Sequence, residues 1–251
     1  MNKTISILLI YFLIASCAEL QPFMDQYALS QPKPLSSTEV SSGLKEALKI
    51  GSKNASSLLS KKDGFYKDEL IKILLPPEAQ SITKNINLIP GGAELVDKVV
   101  LRLNRAAEDA VSEATPIFVS AITEMTIADA FGILKGGNNA ATIYLQNKTQ
   151  NKLQELFMPK VKASLDKKLV ANLSTNESWS LLTKNYNAVA GSFAGKLASL
   201  EPINTKLDAY VTEKALSALF LKVADEEKLI RKDPLKRVND LLKRVFGELD
   251  K

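Results

Sequence analysis

Apolar residues in this chain return every three or four positions in one stretch after another, and almost nowhere do they alternate. A period near 3.6 marks one buried face of an α-helix, whereas a half-buried strand needs a period of 2. The longest stretch sets Val96, Val99, Val100, Leu103, Ala106, Ala107, Ala110, Val111 and Ala114 on one face, with Arg102, Arg105, Glu108 and Asp109 towards the other. Arg105 and Asp109 stand at the spacing of a helical ion pair. A second face runs through Val40, Leu44, Ala47, Leu48, Gly51, Ala55 and Leu58; Ser36 and Glu39 open it as a capping box, and Asp63-Gly64 stop it.

Prolines and glycines cut the rest into helix-sized pieces. Pro77 opens a helix to about residue 87, and Pro90-Gly91-Gly92 break it. Pro116 starts or kinks a helix to Met125, and Thr126 with Asp129 caps another to Lys135, ended by Gly136-Gly137. Asn138 or Asn139 then caps a helix over residues 140–157, and Pro159 kinks it or opens a lysine-rich helix over 160–173. Thr175 with Ser178 precedes a helix carrying Trp179, Leu182 and Tyr186. Residues 190–205 read as a loop or weakly helical crossover, the place for a seam if there is one. Thr212 caps a long helix on Leu216, Leu219, Phe220 and Val223, and Asp233-Pro234 opens the last one with Leu235, Val238, Leu241, Leu242, Val245 and Phe246. Only residues 70–75, biased away from helix by Pro76-Pro77, suit a short extended segment, and a buried helical turn fits them equally. The expected fold class is all-α: an irregular bundle of about eight to ten helices, essentially without sheet, in a single domain over residues 36–251.

The start of the chain follows other rules. Lys3 precedes an apolar run over residues 5–15, and Ala15-Ser16 are small residues before a break. Such a run is too short for a bilayer core, which takes about 20 helical residues, and it suits a signal peptide over residues 1–16. Cys17, the one cysteine, follows Ile14-Ala15-Ser16, and this stretch resembles the lipobox of bacterial lipoproteins. The resemblance implies that Cys17 becomes an acylated N-terminus, the lipid attachment residue; a free thiol or an intermolecular disulfide is the plainer alternative. Ala18 is not the aspartate that retains enterobacterial lipoproteins at the inner membrane, so the outer membrane, periplasm-facing, is the expected address. Residues 17–35 then form a flexible tether with Pro22, Pro32 and Pro34, about 20–25 Å in root-mean-square span.

Composition enters as an exclusion. With no histidine, the chain has no Ser-His-Asp triad, no Cys-His dyad and no His-ligated metal. Basic residues number 33 against 28 acidic ones, too small an excess to argue for nucleic acid. Glu108-Asp109 and Asp225-Glu226-Glu227 read as solvated or ion-paired helix faces rather than acid–base pairs, since neighbours on a helix do not face each other, and Glu227 stands four before Arg231. No calcium loop accompanies the triple acid, so neither a metal nor a catalytic residue nor a cofactor is expected. Gly136, Gly137 and Asn138, with Lys135 and Lys148 as helpers, are weak candidates for an anion site on free helix-terminal amides; helix punctuation explains the same residues. Lys160, Lys162, Lys167 and Lys168 make a basic face that is either solvated or turned to anionic head groups.

Three segments together carry a likeness: LNRAAE at residues 103–108, MTIADAFGILKGGNNAATIYLQNKT at 125–149, and YVTEKALSALFLKVADEEKLIRKDP at 210–234 with DLLKRVFG after it. In order and spacing they resemble the bacterial lipoproteins catalogued as domain-of-unknown-function family 4197, over residues 35–247. The resemblance implies a helical, exported, often lipidated protein, and it brings no activity and no catalytic residues. The expected function is therefore a non-enzymatic interaction or binding module held to the envelope membrane by its lipid anchor, with an envelope protein as partner. The alternative is a carrier of a hydrophobic ligand such as a lipid. The first predicts an exposed apolar patch and the second an enclosed cavity.

Overall fold

The computed structural model of the chain describes residues 33–89 and 91–250. Among them lie ten α-helices and no strand: α1 (Ser37–Leu59), α2 (Gln80–Lys84), α3 (Gly92–Val111), α4 (Ala114–Glu124), α5 (Ala130–Leu134), α6 (Ala140–Asp166), α7 (Thr175–Gly191), α8 (Phe193–Leu197), α9 (Leu207–Lys232) and α10 (Asp240–Phe246). An isolated bridge between Val170 and Leu173 is the one extended pairing seen there. The fold is the all-α bundle that the periodicity predicts. The signal segment, Cys17 and the tether up to residue 32 lie outside the described residues.

Residues 37–251 form one compact unit with α1 at its centre. α1 packs against α9, α4, α10 and α5, and its small residues Gly43, Ala47, Gly51 and Ala55 recur at every fourth position on the buried side. Their size sets how close the neighbours come: a Cβ on Gly43 would lie 2.6 Å from Val245 of α10, and one on Gly51 would lie 3.3 Å from Glu226 of α9. Leu44, Leu48 and Leu59 fill the remaining space, each burial worth about 1.5–3 kcal/mol. Phe118 of α4 meets Phe220 of α9 with ring centroids 5.4 Å apart. α3 closes the bundle against α6 and α7.

Several boundaries differ from the sequence expectation, each for a local reason. The helix expected over 77–87 is broken into a 3-10 turn at Pro77–Ala79, α2, and a second turn at Ile86–Leu88. Asp129 alone caps α5, accepting the Gly132 N–H at 2.8 Å. α6 runs unbroken through Pro159 to Asp166; the ring costs one hydrogen bond, and Phe157 and Val161, both buried, hold the helix across it. The cap of α7 is Ser174, in a reciprocal box with Glu177, rather than Thr175. Thr212 sits inside α9 and donates back to the Asp208 carbonyl at 2.6 Å; the cap position is Lys206, six residues earlier. Asp233-Pro234 caps only a 3-10 turn; Asn239 restarts the chain as α10, which leaves Leu235 and Val238 exposed instead of on the buried face.

Candidate functional site

The buried charged side chains of the bundle hold loops and helix ends. Asn104 of α3 is fully buried, and its side-chain amide pairs with Ile73 as a strand neighbour would: Oδ1 accepts the Ile73 N–H at 2.9 Å and Nδ2 donates to the Ile73 carbonyl at 2.8 Å. Of the 70–75 segment, the start is a turn, with the Ile71 and Lys72 N–H groups on the Asp68 carbonyl at 3.1 and 2.8 Å, and residues 72–75 follow without regular structure. Glu108, also buried, accepts the N–H groups of Phe65 and Tyr66 at 3.2 and 3.4 Å. Arg105 bridges Glu108 at 2.7 Å and Asp63 at 2.6 Å, where Asp63 turns the chain with φ 70°. The expected Arg105–Asp109 pair does not form: Asp109 takes Ser164 and Lys167 of the α6 end, each at 2.6 Å. Arg102 is buried as well, with Nη2 on the Val170 carbonyl at 3.2 Å. The polar face of α3 thus pins one loop on each side instead of facing water. Hydrogen bonds from Arg105 and then Lys67 hold the Asp63 carboxyl below its ordinary pKa.

A second network closes the turn that carries Gly136, Gly137 and Asn138. Glu227 of α9 is buried, and its carboxylate accepts the N–H groups of Ala141 and Thr142 at 3.0 and 2.7 Å and the Thr142 hydroxyl at 2.7 Å. It caps α6 from a distance, since Asn139 at the cap position makes no side-chain bond there. Arg231, one turn on, pairs with Glu227 at 2.7 Å and donates to the Leu134 and Ile133 carbonyls at 2.6 and 3.0 Å, capping α5. An internal carboxylate stands where the sequence reading sets a bound anion, while Gly136, Gly137 and Asn138 are exposed beside it. Lys148 stands apart, two turns and about 12 Å along α6, over the Tyr144 ring at 5.8 Å. Arg237 completes the pattern by donating to the Ile230 and Arg231 carbonyls at the end of α9 and pairing with Asp250.

Against these spent charges stands an open cleft of about 570 Å³ between α7 and the segment before α9. Its wall is laid by two α7 side chains: Trp179 donates its indole N–H to the Thr205 carbonyl at 2.9 Å, and Asn187 pairs both ways with Ile203, at 2.9 and 3.0 Å. Lys162 of α6, Lys184 of α7 and Lys206 line it, exposed and without an ion pair among the described residues. Its one carboxylate, Asp208, accepts its neighbour's N–H, that of Ala209, at 2.9 Å. The cleft is thus a preformed, net-positive groove with hydrogen-bonding walls. Of the expected basic face only Lys162 reaches it; Lys160 pairs with Glu113 at 3.4 Å and Lys167 with Asp109. Lys184, Lys206 and the Trp179 wall were not singled out from sequence as a site, although Trp179, Thr183 and Asn187 share one helical stripe.

Two further open clefts are apolar in part. One of about 480 Å³ has Met125, Tyr144 and Lys148 in its lining, and one of about 340 Å³ lies between Leu70, Leu74 and Leu221. Among the described residues no group of three or more acidic or cysteine side chains could hold a metal ion, and no helix is long and apolar enough to cross a membrane.

Comparison with known proteins gives one finding. The family model described as "Protein of unknown function (DUF4197)" matches residues 34–247, nearly all of the described domain. No curated protein and no solved structure matches the chain.

Proposed function

The chain belongs to the DUF4197 family, and from that premise we propose that it is an exported lipoprotein, anchored through Cys17 to the periplasmic face of the outer membrane, whose helical body binds an acidic partner without catalysing a reaction. The observation that carries this reading is the net-positive cleft: the exposed Lys162, Lys184 and Lys206 line a groove with a single carboxylate, in a domain whose buried charges are already committed to backbone groups. Three unpaired ammonium groups recognise carboxylate or phosphate, and the Trp179 and Asn187 walls give the groove a fixed shape. The buried acids accept hydrogen bonds from the chain's own amides, which leaves them no proton-transfer role towards a substrate. The alternative, a carrier of a hydrophobic ligand, draws on the clefts at Met125 and at Leu70. Both are open, whereas a carrier encloses its ligand.

Native mass spectrometry of residues 18–251, produced in the periplasm, with organic extraction of whatever co-purifies, separates the readings. An acidic ligand lost on Lys184→Glu with Lys206→Glu supports the cleft; a stoichiometric lipid supports the carrier. Acylation of Cys17, read by labelled fatty acid and lost in Cys17→Ala, tests the anchor.

A further inference from the structure

The described phenylalanines divide sharply: Phe65, Phe118, Phe157, Phe220 and Phe246 are buried and Phe131 is half-buried, while Phe193 is 85% exposed. One helical turn later on α8, and so on the same side of the helix, Leu197 is 79% exposed. This display is built, not loose. Ser192 caps α8 by accepting the Gly195 N–H at 3.1 Å, and the Leu200 N–H closes the other end on the Gly195 carbonyl at 3.0 Å, helped by Ser199 at φ 53°. Gly195 seats the helix against the end of α7 so tightly that a Cβ there would lie 2.1 Å from the Val189 carbonyl oxygen. The buried side of α8 is a glycine, and its apolar side chains face water.

We propose that α8 is a membrane-contact knob, with Phe193 and Leu197 entering the head-group region of an anionic phospholipid surface. Two side chains are far short of the roughly 800 Å² per partner that a stable protein interface covers, but they suit shallow insertion into a bilayer. The charge agrees: between Lys184 and Glu201 the single charged residue is Lys196, exposed and without an ion pair among the described residues, beside the insertion point. The inference rests on the lipoprotein reading for its setting, since an anchor at Cys17 keeps the domain within reach of the bilayer.

The test uses the mature chain from residue 17 with Cys17→Ser, so that no acyl chain contributes. Co-sedimentation with vesicles of phosphatidylethanolamine and phosphatidylglycerol measures binding. A fluorophore on Leu197→Cys, then the only thiol, reports entry into an apolar phase by a blue shift. The expected result is binding that falls about tenfold in Phe193→Ser/Leu197→Ser, with an unchanged melting temperature, and that is retained in Leu235→Ser, an equally exposed leucine elsewhere. Absent binding, equal binding by the double variant, or no blue shift overturns the knob. Because the assay contains no lipid anchor, failure here leaves the Cys17 reading standing. Failure of Cys17 acylation in cells likewise leaves vesicle binding measurable.

Discussion

The two long edges of the bundle use their side chains in opposite ways. Along α3 and the second half of α9, the buried polar and charged side chains are consumed: Asn104, Glu108, Glu227 and Arg231 each satisfy backbone groups of a loop or a helix end. Along α7, α8 and the segment before α9, Lys184, Lys196 and Lys206 are exposed and without an ion pair among the described residues, and an aromatic side chain points into water. A buried charge is tolerated only where its hydrogen bonds are met, so the first edge reports on stability, while the second carries the groups on which the proposed recognition rests.

The comparison can be broken from either side. Glu227→Ala leaves the buried Arg231 without its counter-charge and two helix-terminal amides without an acceptor, and unfolding measurements should show a loss of about 3–5 kcal/mol. Asn104→Ala strands the Ile73 N–H and carbonyl, with an expected loss of about 2–3 kcal/mol and faster amide exchange over residues 70–75. Gly195→Val, on the second edge, forces α8 away from α7; about 1–3 kcal/mol and a displaced Phe193 are expected from denaturation and from nuclear Overhauser contacts.

Acidification sharpens the contrast. The Asp63, Asp68 and Asp250 carboxyls are held below the ordinary value of 3.8 by hydrogen bonds from Arg105, Lys222 and Arg237 respectively. Between the lowered folded value and 3.8 the unfolded chain binds more protons, so these contributions are present above about pH 4 and are lost as pH falls through the folded values. The difference in melting temperature between the natural chain and Asp63→Asn should therefore shrink from pH 6 to pH 2. Smallest of all, Lys184→Glu should move stability by no more than about 0.5 kcal/mol while abolishing capture of an acidic ligand; a large destabilisation would show that the cleft lysines are structural after all.

The fold was legible because a bundle of this kind is written in local periodicity, and the segments around α1, α3 and α9 keep that period over many turns. What was not legible is where a polar side chain finds its partner. Arg105 sits four residues before Asp109, yet it takes Asp63, 42 positions away, because the chain reverses there and leaves Asp109 to α6. Glu227 shows its Arg231 mate in the sequence but not the Ala141 amide 86 residues earlier. A cap at Ser174 was present as S-x-x-E and was passed over for the adjacent Thr175. At the end of the chain, an apolar spacing carried back from α10 through Asp233-Pro234 assigned Leu235 and Val238 to a face that does not exist, because Asn239 breaks the register. The cleft was invisible for a related reason: its wall needs residues 203 and 205 folded back on α7, and spacing alone does not report that return.

The position of α1 has a consequence for the order in which the molecule can be completed. The first described helix, α1, has its largest partner in α9, far along the sequence, and the start of α6 waits for Glu227 of α9 as well. A chain made from its N-terminus therefore leaves one side of its central helix open until α9 arrives, and a shortened product lacking α9 and α10 would lose both the largest partner of α1 and the carboxylate that caps α6.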